Sequence, residues 1–187
     1  MSADPEGARS SAEVASTFER RWALLVAAII ILLLAVIVFT AVHWSSMPPS
    51  RVEVIDSTTL HRSGEFVEAN LGTAVEKGGR VVVRVLAEQY AFHPSCIVVP
   101  EGVPVTFRVT SSDVVHGFQI FGTNVNTMVV PGYVSTFVAT VRGTGDRKMP
   151  CHEFCGVGHA AMWATVRVTS SAEFEAVMRK ARRASCV

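Results

Sequence analysis

Charge of one sign is missing from this chain: 17 basic and 16 acidic side chains leave a formal net charge of +1 over 187 residues. Aromatics are scarce too, at 8%, and no basic stripe is interleaved with them. Both absences argue against nucleic acid or another polyanion as the partner. No internal repeat and no low-complexity tract occurs, so the chain is not a repeat array. Cysteines are few: Cys96, Cys151, Cys155 and Cys186. Two of them sit four residues apart, in a segment that also holds histidines, and such clustering points to metal or redox chemistry.

What the chain does have is one long apolar run. Every residue from Trp22 to Phe39 is apolar, and the run continues through Thr40, Ala41 and Val42. At about 1.5 Å per residue, about 21 residues span about 31 Å, the thickness of a hydrocarbon core. A backbone inside a bilayer must satisfy its own polar groups, so the run predicts a helix. A signal peptide would have a shorter apolar region ending in a small-x-small cleavage site. Here the run ends in His43-Trp44-Ser45-Ser46-Met47-Pro48-Pro49, a poor site, and a retained anchor is expected. Trp22 and Trp44 bracket it as interfacial aromatics do. Arg20 and Arg21 flank its start, Arg9 lies upstream, and the next cation is Arg51. The positive-inside rule then puts the N-terminus in the cytoplasm and the following domain outside.

The expected layout is a cytoplasmic segment at 1–21, a transmembrane helix at 22–44, a connecting arm at 45–79, a β domain at 80–169 and a helical tail at 170–187. Pro48-Pro49 should stop the first helix. From Arg80 onward, short β-branched runs recur at 80–90, 96–99, 103–110, 115–121, 126–130, 133–141 and 162–168. Pro-Glu-Gly at 100–102, Pro131-Gly132 and Gly143-Thr144-Gly145-Asp146 punctuate them. Such spacing predicts an antiparallel sandwich or barrel. Ser170 followed by Glu173 fits a capping box, predicting a short helix over Ala172 to Ala184.

The sharpest signal runs from Cys151 to Met162: Cys151-His152-Glu153-Phe154-Cys155-Gly156-Val157-Gly158-His159-Ala160-Ala161-Met162. Two thiols, an imidazole and a thioether form a soft donor set that suits copper. A mononuclear blue-copper site needs one Cys, two His and a weak axial Met. This loop holds one thiol too many and one imidazole too few. His116, in Asp113-Val114-Val115-His116-Gly117-Phe118 at the start of a strand, is the best second imidazole. The extra thiol is accounted for if both sulfurs bridge two metals. Gly156 and Gly158 close a stiff loop, and no position is left open for substrate, so the site reads as an electron carrier. A Cys151–Cys155 disulfide would leave His159 and Met162 unexplained. Zinc rarely takes methionine. A thioredoxin-type copper chaperone would need βαβ units that this chain lacks.

The pattern Cys-x-Glu-x-Cys-Gly-x-x-His-x-x-Met, with its upstream Asp-Val-x-His, resembles the CuA motif of cytochrome c oxidase subunit II. The single N-terminal helix and the segments HGFQIFGTNVNT and PGYVST look most like the B family, the ba-type haem–copper oxidases. The resemblance implies a cupredoxin-like Greek-key barrel or sandwich and a dinuclear copper CuA centre. In it, Cys151 and Cys155 bridge, His116 and His159 bind one copper each, Met162 is axial to one copper and the Glu153 carbonyl is axial to the other. It implies that cytochrome c delivers electrons and that haem in subunit I receives them for oxygen reduction, with no catalytic residue in this chain. It places the protein in the lipid bilayer of a prokaryotic plasma (inner) membrane, with the copper domain on the periplasmic or extracellular side. Tyr90 falls where the family has an aromatic residue near the surface at which electrons arrive. Glu153 matches a residue whose side chain reaches a magnesium site in larger relatives, and Glu19 matches one at the mouth of a proton channel. As an ordinary residue, Glu19 would simply favour a helix start. A CuA subunit of a nitric oxide reductase and a stand-alone tethered cupredoxin remain as alternatives. His93 and His152 are expected to be ordinary exposed or packed histidines, and Cys96 and Cys186 buried or free thiols.

Overall fold

The computed structural model describes residues 11–43 and 53–186. Trp44, Pro48, Pro49 and Arg51 lie outside the described residues. The chain divides into two compact units, Met1–Arg51 and Val52–Val187.

Among the described residues the first unit holds one helix, α1, Ser11–His43. It begins about three turns before Trp22. Residues 11–21 mix polar and apolar side chains, and Ala, Glu and Arg among them are good helix formers, so the helix extends beyond the apolar run. Glu19 therefore sits about two turns inside α1, too deep for a dipole role at the helix start. Ala15–Val42 is long and apolar enough to cross a membrane, and none of its most apolar window is buried within the chain.

The second unit is a β-sandwich. Its strands are β1 (Glu53–Val54), β2 (Gly72–Val75), β3 (Val81–Glu88), β4 (Ala91–His93), β5 (Cys96–Pro100), β6 (Pro104–Ser111), β7 (His116–Gln119), β8 (Asn126–Val129), β9 (Tyr133–Thr140), β10 (Gly145–Pro150) and β11 (Trp163–Thr169). A short helix, α2 (Ser171–Lys180), follows. One sheet runs β1-β9-β6-β3-β2, with β4 also paired to β3, and a second runs β10-β11-β5. β7 and β8 form a separate hairpin. Side chains on β6 alternate between core and surface over its first half, the period of a half-buried strand. The core between the sheets is built on Phe92, Phe107 and Phe118, all fully buried. Phe107 stacks on Phe137 with ring centroids 5.2 Å apart.

This is the β-sandwich expected, with one apolar N-terminal helix and a short C-terminal one. All seven anticipated strands are present, but the pairing is not purely antiparallel. β3 pairs β6 in parallel, and β5 pairs β11 in parallel. A parallel neighbour requires a crossover, and β4 and β5 supply it between β3 and β6. The supposed arm also differs: residues 53–79 carry β1 and β2, and bury Leu60 and Phe66 in a small core with Leu86 and Val134. Its lack of periodicity reflects short elements between turns rather than a free linker. β10 occupies part of the segment taken for a turn.

The Ser170–Glu173 capping box forms as anticipated, but α2 stops at Lys180 rather than Ala184. Beyond it the tail extends. Ala184 exchanges backbone hydrogen bonds with Thr73, and Cys186 forms a disulfide with Cys96 across 90 residues of sequence. Covalent closure and strand pairing there outcompete another helical turn. The expectation of free thiols at Cys96 and Cys186 is thus overturned.

One face of the larger sheet carries an ion-pair cluster. Glu65 accepts from Arg84 Nε at 2.7 Å and from Arg108 Nη2 at 2.6 Å. Glu76 takes the Arg84 Nη2 group at 2.6 Å and Glu53 takes Arg108 Nη2 at 2.6 Å. Burial alone would raise the Glu65 carboxyl. The hydrogen bond and charge of Arg108, then those of Arg84, outweigh it and hold the carboxyl below its usual value.

Candidate metal centre

Twelve residues connect β10 to β11, from Cys151 to Met162. The base of this loop is closed by the Cys151 N–H donating to the Met162 carbonyl at 3.0 Å. Inside it, the N–H of His159 donates to Gly156 O at 3.1 Å and that of Met162 to His159 O at 3.1 Å, around a 3-10 turn at His159–Ala161. The two cysteines and Met162 point into the sandwich and are buried, and His159 is half-buried.

The two thiols are free, with their sulfurs 3.7 Å apart. His116, fully buried at the start of β7, directs Nδ1 to Cys151 Sγ at 3.8 Å. His159 Nδ1 lies 3.6 Å from Cys155 Sγ, on the other side of the pair. Met162 Sδ is 3.7 Å from Cys155 Sγ, and the Glu153 carbonyl oxygen is 3.2 Å from Cys151 Sγ. His116, Cys151 and Cys155 bring one ligand atom each within 4.8 Å of one another. All six residues anticipated from the sequence therefore converge. The Glu153 side chain is exposed and takes no part in this cluster, so a magnesium ion finds no support here.

Residues around the cluster fix its geometry. Asp113 Oδ1 lies 2.9 Å from His116 Nε2. A carboxylate only accepts, so the ring proton sits on Nε2 and Nδ1 keeps its lone pair for a metal. Asp113 also accepts from the backbone N–H groups of Gln89 at 2.7 Å and Val114 at 2.6 Å. Burial would raise its carboxyl, but the hydrogen bond from His116 and these two N–H groups hold it below the usual carboxylate range.

Gln89 reaches the other side of the cluster as well, donating through Nε2 to the Cys155 carbonyl. Next to it, the ring of Tyr90, 37% exposed, lies across the loop. A Cβ placed on Gly158 would come within 2.5 Å of that ring. Gly156 has φ +128°, a conformation that L side chains rarely adopt. On the β7 side, a Cβ on Gly117 would lie 2.5 Å from Glu153 N and 2.7 Å from His152 N, and the Gly117 carbonyl accepts from the His152 N–H at 3.2 Å. The two ligand-bearing segments thus meet main chain to main chain.

Burial, and then the neighbouring Cys151 thiol, push the Cys155 thiol up to about 11. Two adjacent sulfurs here resist becoming anions together, and a cation shared between them removes that resistance. The donor set is soft, enclosed and pre-assembled, and it fits copper. Sequence reasoning missed Gln89 and the exposed Trp163, which follows Met162. Asp113 was in the quoted motif but had no assigned role.

A family model for the periplasmic domain of cytochrome c oxidase subunit II matches residues 83–169. A cytochrome c oxidase subunit 2 from Thermus thermophilus is 33% identical over 153 residues, which cover 81% of this chain and 91% of the relative. A further cytochrome c oxidase subunit 2 from Thermus thermophilus is 35% identical over 122 residues, 65% of this chain and 90% of the relative. Among solved structures, one chain of a heme-copper terminal oxidase dimer matches with a TM-score of 0.56 and 28% identity, over 81% of this chain and 99% of its own length.

Proposed function

Because the chain belongs to the cytochrome c oxidase subunit II family, we propose that it is the electron-accepting subunit of a haem–copper terminal oxidase and holds a dinuclear copper centre. Cys151 and Cys155 would supply sulfur to both ions, His116 and His159 an imidazole to one each, and Met162 and the Glu153 carbonyl the two weaker donors. A c-type cytochrome supplies electrons, and haem in subunit I receives them for oxygen reduction. Helix α1 anchors the chain in a prokaryotic plasma membrane, with the N-terminus in the cytoplasm and the β-sandwich outside. The B-family segments HGFQIFGTNVNT and PGYVST support a ba-type assignment. The relatives named above are oxidase subunits and do not favour the nitric oxide reductase or stand-alone readings.

The observation that carries this reading is the pair of unbonded, buried sulfurs 3.7 Å apart, with an imidazole Nδ1 outside each. Bound copper supplies a one-electron carrier. The chain's own residues keep its surroundings still. Asp113 fixes the His116 tautomer, Gln89 ties the His116 support to the Cys155 carbonyl, and the loop base locks Cys151 to Met162. Donors held this firmly move little when charge changes, which is what fast transfer needs. Tyr90, Phe154, Val157 and Trp163 lie exposed around the loop and offer a donor protein an apolar landing surface. Glu19 on α1 is the residue for a proton-channel mouth.

The test is copper loading of the full chain in detergent, followed by metal analysis and visible spectroscopy. Two coppers per chain with a purple, delocalised spectrum are expected. One copper with a blue spectrum would overturn the dinuclear assignment.

A further inference from the structure

A carboxylate flanked by two histidines lies outside the sulfur cluster. Glu88, the last residue of β3, receives His61 Nε2 on Oε1 at 2.5 Å and His93 Nε2 on Oε2 at 3.3 Å. Ser112 Oγ donates to the same Oε1 at 2.8 Å and fixes the carboxylate's orientation. Glu68 lines the same recess. The three principal residues come from three segments, each anchored. His61 follows Leu60, whose side chain is buried in the small core, and sits in a turn closed by Arg62 N–H to Thr59 O at 2.9 Å. His93 ends β4, opposite Leu86 on β3.

We infer that His61, Glu88 and His93 form a binding site for one divalent transition cation of the zinc(II) or copper(II) class, separate from the sulfur cluster. An exposed His–Glu pair contributes little to stability, so stability does not account for two imidazoles meeting on one carboxylate. Two imidazoles and a carboxylate are a donor set that zinc and copper(II) take readily, and magnesium and calcium do not. Each Nε2–H now donates to Glu88, and moving the ring proton to Nδ1 frees the Nε2 lone pair for an ion beside the carboxylate. The side chains of His61 and His93 are 59% and 48% exposed, so both imidazoles have room to turn toward one ion at Glu88. Glu88, at 27%, is the fixed member. Glu68 or water completes the coordination.

The probe is zinc chloride, titrated calorimetrically into the copper-loaded full chain in detergent, with the visible copper spectrum recorded throughout. One further zinc ion per chain is expected, with the copper colour unchanged. The His61→Ala/His93→Ala chain should lose that ion. Ser112→Ala, which removes only the group orienting Glu88, should weaken it about tenfold. The Cys151→Ser/Cys155→Ser chain should still bind zinc at this site, so the result does not depend on the copper reading. The proposal is overturned if the double histidine variant binds zinc as the parent does, if the parent binds none, or if zinc bleaches the copper colour and so occupies the sulfur cluster.

Discussion

The Glu65 cluster and the Cys155 cluster both crowd titratable groups in one sandwich, and they settle the resulting electrostatics in opposite ways. Glu65 lies between Arg84 and Arg108, Glu76 and Glu53 each take one further donor from them, and Arg84 Nη1 stays buried without a partner. Opposite charges satisfy one another there, and the carboxyl's affinity for protons falls. Around Cys155 there is no counter-charge among the ligands, so burial and a second thiol raise the proton affinity instead. The first cluster pairs its opposite charges as the chain folds. The second is complete only when a cation joins it, and its geometry is held meanwhile by backbone hydrogen bonds and close glycine contacts. Structure maintained without internal compensation marks the place where an outside component belongs.

The sharpest way to break this contrast is to remove one sulfur. Cys155→Ser should lose the copper pair altogether by metal analysis, because a hydroxyl is a poor bridging donor for copper. Met162→Leu should keep both ions and shift only the potential and the transfer rate. Equal loss in the two variants would refute the axial role of Met162.

Next in size is the Cys96–Cys186 bridge, a constraint that neither cluster uses. Cys96→Ser should lower unfolding free energy by about 2–4 kcal/mol in a denaturant titration and leave the copper spectrum unaltered. A changed spectrum would show that the tail staple and the copper loop are one cooperative unit.

Gly158→Ala comes third, because its new methyl group meets the Tyr90 ring. A cost of about 1–3 kcal/mol is expected, and Tyr90→Ala in the same chain should recover part of it. Additive losses in that double-mutant cycle would mean that the ring does not brace the loop.

The smallest effect belongs to the Glu65 cluster. Its carboxyl is held below its usual value in the folded chain, so it contributes stability above the unfolded value and loses it as pH falls through the folded one. Glu65→Gln should therefore cost about 1 kcal/mol at neutral pH, and the gap from the parent should close on acidification. A gap that persists in acid would assign the loss to packing.

The parts of the molecule legible in the sequence are those written locally. The loop from Cys151 to Met162 carries its ligands within one turn-rich stretch, and β3, β6 and β9 show β-branched runs. His116 was found by counting ligands, since the loop lacked one imidazole. β10 was missed because Gly145-Asp146-Arg147-Lys148 carries no apolar pattern, and its strand exists through its register with β11. The disulfide joins residues that only the finished fold brings together. Gln89 braces the site by donating to a backbone carbonyl, an interaction that leaves no signature in residue type or spacing.

Gly117 sets a limit on what the loop can accept. Where β7 and the His152-Glu153 peptide touch, the gap between the two ligand-bearing segments is fixed by the thickness of two polypeptide backbones, like a caliper locked at one opening. A methyl group at Gly117 would have to wedge those backbones apart against a close-packed interior, and so carry His116 away from the two sulfurs. The spacing of the donors thus depends on one position never acquiring a side chain.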